Sequence, residues 1–329
     1  MKFLITGGLG FIGSNFILHL IKNYPEFKII NVDAEFDGSN RLNLESIKNY
    51  KKYGFVKGNI TDKKIVDKVV SKADIVFNFA AESHVDRSIT NPRPFMDSNI
   101  LGMYTLLESV RKYKKKIIQI STDEVFGSLR TGSADEKYPF NPSSPYAASK
   151  ASAELLVQSY VKTYNCDAII TRCTNNYGPM QSPEKLIPKA IILAEKESQI
   201  PIYGTGKNVR DWIFVLDHCE AIMQVYFKGK IGESYNISAD NEVDNLAIVR
   251  KILDIMKKSK DLIQLTEDRP GHDFRYSLVS KKIRRKMNWK PRHNLKEGLE
   301  YTVKWYLANK RWWKHASNEI SSPYRWKTR

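Results

Sequence analysis

Leu4 to Ser14 reads LITGGLGFIGS, a short apolar segment followed by a glycine-rich turn and the start of a helical pattern that continues to Asn23. Each of the spaced glycines suits a separate task in a phosphate-binding turn. Gly7 allows a tight turn, Gly10 lets the backbone approach a pyrophosphate, and Gly13 permits close packing of the helix on the strand. The stretch therefore predicts a strand, a turn and a helix whose N-terminus holds a pyrophosphate.

An acidic residue closes the next apolar segment. Asp33 follows the strand predicted at 27–32 and lies twenty residues beyond Gly13. In a βαβ unit, a carboxylate at this position meets the hydroxyl groups of an adenosine ribose. Because the same carboxylate would repel a 2′-phosphate, the sequence predicts NAD rather than NADP as the cofactor.

Further strands are predicted at 55–57, 74–79, 117–121 and 168–172, with helical or irregular segments between them. This alternation predicts an α/β fold, a doubly wound parallel sheet of the Rossmann type, with a smaller C-terminal α/β substrate domain. We expect an NAD-binding domain over 1–178, rejoined by about 208–237, and a mainly substrate-binding domain over 179–329.

Four side chains are suited to acid–base chemistry. Tyr146 and Lys150 are four residues apart, so they share one face of a helix, and the ammonium group is expected to favour the phenolate. Asp123 and Glu124 directly follow a predicted buried strand, a position that favours catalysis over the alternative of surface charges. Neighbouring acid and base groups suit water elimination, in which one removes a proton and the other protonates the departing hydroxyl.

The net charge leaves two interpretations open. The chain has 329 residues, and its 53 basic and 36 acidic side chains give a charge of +17. Lysine clusters are scattered along the sequence, which favours a solvated cationic surface over a platform for nucleic acid. A catalytically idle RNA-binding relative is therefore the non-enzyme alternative.

Cysteine usage and hydropathy indicate the compartment. Cys166, Cys173 and Cys219 are widely spaced and odd in number, which fits neither a disulfide framework nor a paired zinc site. No run of 18 or more apolar residues occurs, so no membrane span is expected. We predict a cytoplasmic protein without a metal site.

The chain resembles the extended short-chain dehydrogenase/reductase superfamily and, within it, the dTDP-glucose 4,6-dehydratases, over nearly its whole length. The resemblance rests on TGGLGFIGSN from Thr6, AAESHVDRSI from Ala80, STDEVFG from Ser121, YAASK from Tyr146, TRCTNNYGP from Thr171, EKLIPK from Glu184, RDW from Arg210 and DRPGHDFRY from Asp268. The Tyr-x-x-x-Lys pattern alone marks only the superfamily. The adjacent Asp-Glu together with DRPGHDFRY is typical of the dehydratases.

The resemblance implies an NAD-dependent hydro-lyase that converts dTDP-glucose, with UDP-glucose as the alternative substrate, to a 4-keto-6-deoxy sugar of deoxysugar and rhamnose biosynthesis. Tyr146 would take the 4-hydroxyl proton during oxidation at C4, and Thr122 would orient the 4-oxygen. Glu124 would remove the C5 proton while Asp123 protonates the 6-hydroxyl, and hydride would then return to C6. Lys150 would lower the phenol pKa and hold the nicotinamide ribose.

A related nucleotide-sugar epimerase or decarboxylase is the alternative enzyme. It would share NAD and the Tyr-Lys pair but would have less need for the adjacent acids. The resemblance also implies a homodimer, joined through a four-helix bundle of the helices predicted at 96–111 and 149–164.

Further contacts follow residue by residue from the same resemblance. Cofactor contacts are implied at Gly7, Gly10, Phe11, Ile12, Gly13, Asp33, Asn59, Ile60, Ala80, Ala81, Ser83, Ser98, Tyr146 and Lys150. Substrate contacts are implied at His84, Thr122, Asn175, Asn176, Lys185, Leu186, Tyr203, Arg210, Asn245, Arg269, His272 and Tyr276. The chain has Ala-Glu-Phe-Asp at 34–37, where family members commonly carry Lys-Leu-Thr-Tyr, so the adenosine pocket is expected to differ.

Overall fold

The computed structural model describes residues 1–314 and 320, so the end of the predicted substrate domain lies outside the described residues. The strands are β1 (Lys2–Thr6), β2 (Lys28–Asp33), β3 (Tyr53–Lys57), β4 (Ile75–Asn78), β5 (Lys116–Thr122), β6 (Ala168–Cys173), β7 (Asn175–Tyr177), β8 (Ile200–Tyr203), β9 (Val209–Phe214), β10 (Ser234–Ile237), β11 (Glu242–Asp244) and β12 (Ile263–Thr266). The helices are α1 (Phe11–Asn23), α2 (Lys63–Val70), α3 (Val85–Thr90), α4 (Arg93–Phe95), α5 (Gly102–Tyr113), α6 (Pro145–Tyr164), α7 (Leu186–Glu195), α8 (Val215–Lys228), α9 (Asn245–Met256), α10 (Lys281–Met287), α11 (Leu295–Ala308) and α12 (Lys310–Trp313).

Within these residues the main sheet has seven strands in the order β10-β6-β5-β4-β1-β2-β3, and every neighbouring pair is parallel. The chain runs outward from β1 in one direction and from β4 in the other, so a crevice opens between the carboxyl ends of these two strands. Ligands of doubly wound sheets bind in such a crevice. The predicted fold class is confirmed.

Apolar side chains cover both faces of the main sheet. On one face, β1, β4 and β6 pack against α1, α8 and α10 through residues such as Phe16, Ile222 and Ile283. On the other face, α2, α5 and α6 contribute Val66, Leu106 and Val157. Strands buried on both faces are continuous apolar runs, which is why the sequence reveals them so clearly.

Two smaller sheets complete the described chain. β7, β9 and β11 form one, and β8 pairs in parallel with β12 in the other. A separate core of α7, α9 and α11 packs against these strands. Between β9 and β11 the chain returns to the main sheet, where α8 packs on α1 and β10 pairs with β6. Among the described residues, no helix has both the length and the apolar character that crossing a bilayer requires.

Two helices differ from their predicted bounds. The helix predicted at 96–111 is divided into a π-helical turn, Met96–Leu101, and α5. The helix predicted at 149–164 begins earlier, at Pro145. Ser144 caps it by accepting a hydrogen bond from the Ala147 N–H at 3.1 Å, and proline suits a first helical position. The earlier start places Tyr146 in the first turn.

A buried ion pair joins α6 to β6. Arg172 donates to Glu154 through Nε and Nη2 at 2.6–3.0 Å, and both side chains are at most 2% exposed. The guanidinium group lies over the rings of Phe126 and Phe140, at 5.0 and 5.4 Å from their centres. Arg172 therefore ties α6 and β6 to the segment that follows β5.

Replacing Glu154 with Gln should lower the free energy of unfolding by about 3–5 kcal/mol, because it leaves the Arg172 cation buried without a countercharge. Urea titration measures the change. The double variant Glu154→Gln/Arg172→Met should recover much of the loss. Glu197→Gln is the control, since its pair with Lys258 lies on the surface, and an equal loss in that variant would contradict the explanation.

Candidate active site

The end of β5 positions the two adjacent acids. Thr122 caps a short 3₁₀ turn, Asp123–Phe126: its Oγ1 accepts from the Glu124 N–H at 3.3 Å and donates to Asp123 Oδ1 at 3.0 Å. Asp123 Oδ2 is buried and has no hydrogen-bond partner within residues 1–314 and 320. One oxygen of a buried acid is therefore available to a ligand.

Burial makes both acids weaker than usual. Burial, followed by the neighbouring Glu124, raises the pKa of Asp123 well above 3.8. Burial also raises the pKa of Glu124, against the opposing effect of nearby cations, of which Arg269 is the strongest. Arg210 lowers the pKa of both acids, and Arg269 and Lys185 further lower that of Glu124. Asp123 is therefore the better proton donor of the two, and Glu124 is the better base.

Tyr146 and Lys150 are four residues apart on α6, and burial is the largest influence on the pKa of each. Burial, followed by Glu124, raises the pKa of Tyr146 well above 10.0. Lys150 Nζ donates to the carbonyl oxygen of Ile120 at 2.7 Å, and burial lowers its pKa to about 8. Burial is the largest influence on the Tyr146 pKa in this structure, and the expected lowering of that pKa by Lys150 stays a prediction.

One cavity contains all the predicted cofactor contacts and all the predicted catalytic side chains. It runs from the glycine turn after β1, along the carboxyl ends of β2, β4 and β5, to α6. The glycine turn is packed too tightly for side chains: a Cβ at Gly7 would lie 2.6 Å from the Ala80 backbone, and one at Gly13 would lie 2.4 Å from the Gly7 oxygen. This is the packing expected of a turn that binds a pyrophosphate. The N-terminus of α1, at Gly10, receives no side-chain cap, so its N–H groups are suited to bind an anion.

The adenosine end of this cavity differs in detail from the expectation. Asp33 is buried and accepts from the N–H groups of Leu9 and Glu35 at 2.9 and 2.8 Å, and from Ser39 Oγ at 2.7 Å. A carboxylate has about four acceptor positions, so room remains for a ribose hydroxyl. The Oδ1 of Asn59, predicted to accept from adenine, already accepts from the Thr61 N–H at 3.0 Å.

A second cavity adjoins the first and contains the predicted substrate contacts except Thr122, which lies in the first cavity. Its lining includes His84, Asn175, Asn176, Lys185, Leu186, Tyr203, Arg210, Asn245, Arg269, His272 and Tyr276. Glu124 lines both cavities. Glu124 therefore lies where a ligand in one cavity would meet a ligand in the other.

The cationic side chains of the second cavity are held in place from behind. Arg210 donates to the carbonyl oxygens of Val209 and Asp273 at 2.7 and 2.9 Å. Arg269 Nη1 donates to Asp86 at 2.8 Å, whereas its Nε is buried without a hydrogen-bond partner among the described residues. An oriented guanidinium group with an unused donor suits a phosphate oxygen.

Three other predicted contacts have partners in the protein. Asn176 Oδ1 lies 2.9 Å from Nδ1 of His218, a ring whose pKa burial lowers to about 3. His84 Nε2 lies 3.6 Å from a Glu184 oxygen, and His272 Nδ1 lies 2.6 Å from Asp268 Oδ1. Burial lowers the pKa of His272 to about 4, so the ring is neutral near pH 7.

Sequence reasoning missed several residues of the site. Asp86 is buried, binds Arg269 and accepts from Tyr203 Oη at 3.0 Å. Asp273 accepts from Tyr276 Oη at 2.5 Å. Both lie inside motifs already singled out, AAESHVDRSI and DRPGHDFRY, but their partners are distant in sequence. The altered segment at 34–37 also reaches the first cavity, where Asp37 forms an ion pair with Arg87.

Comparison with known proteins gives a consistent result. The family model described as GDP-mannose 4,6 dehydratase matches residues 4–302. The chain is 39% identical to the dTDP-glucose 4,6-dehydratase of Mycobacterium tuberculosis (strain CDC 1551 / Oshkosh) over 328 residues, which is 98% of each protein.

Two solved structures are similar in sequence and in fold. The dTDP-glucose 4,6-dehydratase from Bacillus anthracis str. Ames in complex with NAD matches with a TM-score of 0.91 and 44% identity, over 96% of this chain and 99% of that one. DesIV, a dTDP-glucose 4,6-dehydratase from Streptomyces venezuelae with NAD and TYD bound, matches with a TM-score of 0.94 and 40% identity, over the same shares. The similarity extends beyond the main sheet to the smaller sheets.

Proposed function

Because the chain belongs to the GDP-mannose 4,6 dehydratase family, we propose that it is an NAD-dependent 4,6-dehydratase of a nucleotide-linked glucose, with dTDP-glucose as the substrate. The relatives reported above are dTDP-glucose 4,6-dehydratases, and two of them were crystallised with NAD. NAD would supply a hydride acceptor for C4 and later a hydride donor for C6. The products of such a reaction belong to deoxysugar metabolism, including rhamnose biosynthesis.

One observation carries the proposal: Asp123 and Glu124 lie at the end of β5, and Glu124 lines both cavities. Oxidation alone needs Tyr146 and a cofactor, but it needs no adjacent acid and base. Elimination needs both, because the C5 proton and the 6-hydroxyl leave from neighbouring carbons. This arrangement favours the dehydratase over the epimerase or decarboxylase.

Each catalytic side chain has a proposed task that its surroundings support. Tyr146, as the phenolate that Lys150 and the positive charge of bound NAD would favour, takes the proton of the 4-hydroxyl, and Thr122 orients the 4-oxygen. Glu124 then takes the C5 proton, whose acidity the new ketone has increased. Asp123, kept protonated by burial, gives its proton to the 6-hydroxyl as water leaves. Lys150, fixed by Ile120, is placed to hold the nicotinamide ribose.

The two cavities support a division of binding. The main-sheet part, residues 1–178 with about 208–237, would bind NAD, and the smaller sheets and their helices, within 179–329, would bind the nucleotide sugar. Arg210, Arg269 and Lys185 would hold the diphosphate, since burial already lowers the pKa of Lys185 and an anion would offset that cost.

Mass spectrometry after incubation with NAD tests the function. The protein is expected to remove one water from dTDP-glucose without net formation of NADH. UDP-glucose is the comparison, because the two bases differ by a methyl group, a difference worth about 1–3 kcal/mol in an apolar pocket. If the protein removed water from neither dTDP-glucose nor UDP-glucose, the proposal would be contradicted.

Replacing Gly13 with Ala should weaken NAD binding by about tenfold or more, because the new Cβ would lie 2.4 Å from a backbone oxygen of the glycine turn and would displace it. Fluorescence titration with NAD measures the affinity. Gly54→Ala is a matched control, since the nearest atom to its added Cβ is 4.0 Å away. Equal affinities for the two variants would disprove the assigned role of the turn.

We also propose a homodimer formed through α5 and α6. The two helices pack on each other through their inner faces, with Tyr160 Oη donating to Glu108 at 2.7 Å. On the outer surface of these helices Tyr104 and Leu155 are about half exposed, and so is Leu101 at the end of the π-helical turn before α5. A second copy of the same helix pair would cover this apolar surface as a four-helix bundle.

Leu155→Glu should weaken the proposed dimer about 100-fold or more, because it places an unpaired carboxylate in the interface. Light scattering over a concentration series measures the mass of the particle. Leu265→Glu, at an equally exposed leucine on β12, should leave the mass unchanged. A single-chain mass for the unaltered protein would exclude the dimer.

The remaining expectations stay proposals. The three cysteines are free and buried, which supports a reducing, cytoplasmic location. The RNA-binding alternative has little support, since several of the basic side chains, among them Lys282, Arg284 and Lys286, are paired with acids. Salt-sensitive retention of the protein on RNA, without turnover of either nucleotide sugar, would support the RNA-binding alternative.

A further inference from the structure

A chain of hydrogen-bonding groups leads from Glu124 to the protein surface. Tyr276 Oη lies 3.5 Å from Glu124 Oε2 and 2.5 Å from Asp273 Oδ2. Ser143, an exposed residue, donates through Oγ to the same Asp273 oxygen. The buried Tyr276 and Asp273 thus lie between the base of the active site and solvent.

The phenol has two acidic neighbours but only one proton. It donates to Asp273, the nearer oxygen, so it presents its own lone pair towards Glu124. An unprotonated Glu124 gains little from this arrangement at 3.5 Å. A protonated Glu124, however, is a donor, and hydrogen bonds of active sites commonly shorten when ligands are bound.

We propose that Tyr276 and Asp273 relay the C5 proton between Glu124 and solvent. This inference rests on the proposed dehydratase function and extends it to the fate of the proton. NAD in the first cavity and sugar in the second would cover the sides of Glu124 that face the cavities. Tyr276 also lines the second cavity, but its hydrogen-bond partner Asp273 lines neither cavity, so the route to water leads through Asp273.

The protons and electrons balance at each step. Glu124 accepts the proton as the C5–H bond breaks, its electron pair forms the C5–C6 double bond, and the C6–O bond breaks as Asp123 protonates the departing hydroxyl. The Glu124 proton then passes to Tyr276 Oη while the phenol proton passes to Asp273, which exchanges it with water beside Ser143. The reverse movement returns a solvent proton to Glu124, which gives it to C5 as hydride would return to C6. Asp123 regains a proton equal to the one that Tyr146 took from the 4-hydroxyl, which closes the balance.

The surrounding charges are compatible with such a transfer. Arg210 lies over the Tyr276 ring, with its guanidinium carbon 4.4 Å from the ring centre. Arg269, Lys185 and Arg210 favour the Glu124 carboxylate, and Asp273 opposes it. Burial is the largest cause that raises the pKa of Tyr276, so the phenol stays neutral and passes a proton only as it receives one.

Isotope content at C5 tests the relay. The complete enzyme with NAD converts dTDP-glucose in D₂O, the reaction is stopped at low conversion, and deuterium at C5 of the product is measured by NMR. We expect most of the product of the unaltered enzyme to carry deuterium. Tyr276→Phe and Asp273→Asn should give product in which most C5 positions keep the original hydrogen, even where turnover is slower.

The readout separates a relay from a merely structural role, because it counts isotope per product molecule rather than rate. Tyr138→Phe is the control. The Tyr138 ring packs on Phe126, at the end of the turn that holds Asp123 and Glu124, but Tyr138 lines neither of the two cavities. Unlabelled product incubated with each variant in D₂O corrects for exchange after release.

Equal deuterium in the variants and in the unaltered enzyme would overturn the relay, and so would retention of the original hydrogen by the unaltered enzyme. Neither result would affect the proposed function. Absence of water loss from the unaltered enzyme would instead refute the proposed function itself.

Discussion

Asp123→Asn and Glu124→Gln, each made singly, are expected to lower the rate of water loss from dTDP-glucose by about 10²–10⁴-fold while NAD remains bound. The amide of the first variant cannot protonate the departing hydroxyl, and the amide of the second cannot accept the C5 proton. Oxidation at C4 does not need either group, so both variants should accumulate reduced cofactor in a single turnover. Absorbance of the reduced nicotinamide and mass spectrometry of the sugar measure the two stages separately.

The chain contains a matched control for this experiment. Asp135 and Glu136 repeat the same dipeptide, and neither lines either of the two cavities described above. Asp135 is exposed, so Asp135→Asn should dehydrate the substrate at the unaltered rate. Full activity in Asp123→Asn or Glu124→Gln would show that elimination uses other groups and would remove the main support for the dehydratase.

Tyr146→Phe should stop the reaction one stage earlier, with a similar loss of about 10²–10⁴-fold and no reduced cofactor at any time. The phenol is the group placed to accept the 4-hydroxyl proton, and Phe has no oxygen to take it. The variant should still bind NAD, because the glycine turn and Asp33 are unchanged. A stopped-flow record at the nicotinamide absorbance band distinguishes this variant from those of the two acids.

Tyr164→Phe is the control for Tyr146→Phe, since Tyr164 lies at the far end of the same helix and is about half exposed. It should turn over like the unaltered enzyme. If Tyr146→Phe still reduced NAD with substrate bound, another group would have to be the base for oxidation. Lys150, whose pKa burial lowers to about 8, is the nearest candidate on that helix face.

Local sequence predicted most of the main sheet. The strand predicted before the glycine-rich turn is β1, and those predicted at 27–32, 74–79 and 117–121 differ from β2, β4 and β5 only at their ends. Strands covered on both faces are largely apolar, so their pattern is readable without knowledge of their neighbours, even though Asn78 and Gln119 are buried within them. The site segments were equally predictable, because the carboxyl ends of parallel strands share one edge.

Contacts between distant parts of the chain were not predictable. Tyr276 is 152 residues from Glu124, and Arg269 is 183 residues from Asp86. Helical spacing placed Lys150 on the same face as Tyr146, but it carried no information that Lys150 would donate to the carbonyl oxygen of Ile120. The effect of burial on the pKa of Tyr146 was not predictable either. A neighbouring charge can be read from the sequence, whereas burial of the phenol depends on the whole fold.

The order in which the chain crosses between sheets limits how this protein can be cut and recombined. β10 pairs with β6, although the chain passes through β7, β8 and β9 between them. A fragment that ended after β6 would leave that strand as an open edge and invite aggregation. A chimera with a new sugar specificity would therefore have to exchange two separate segments, one on each side of residues 215–237. A single junction would instead divide the main sheet.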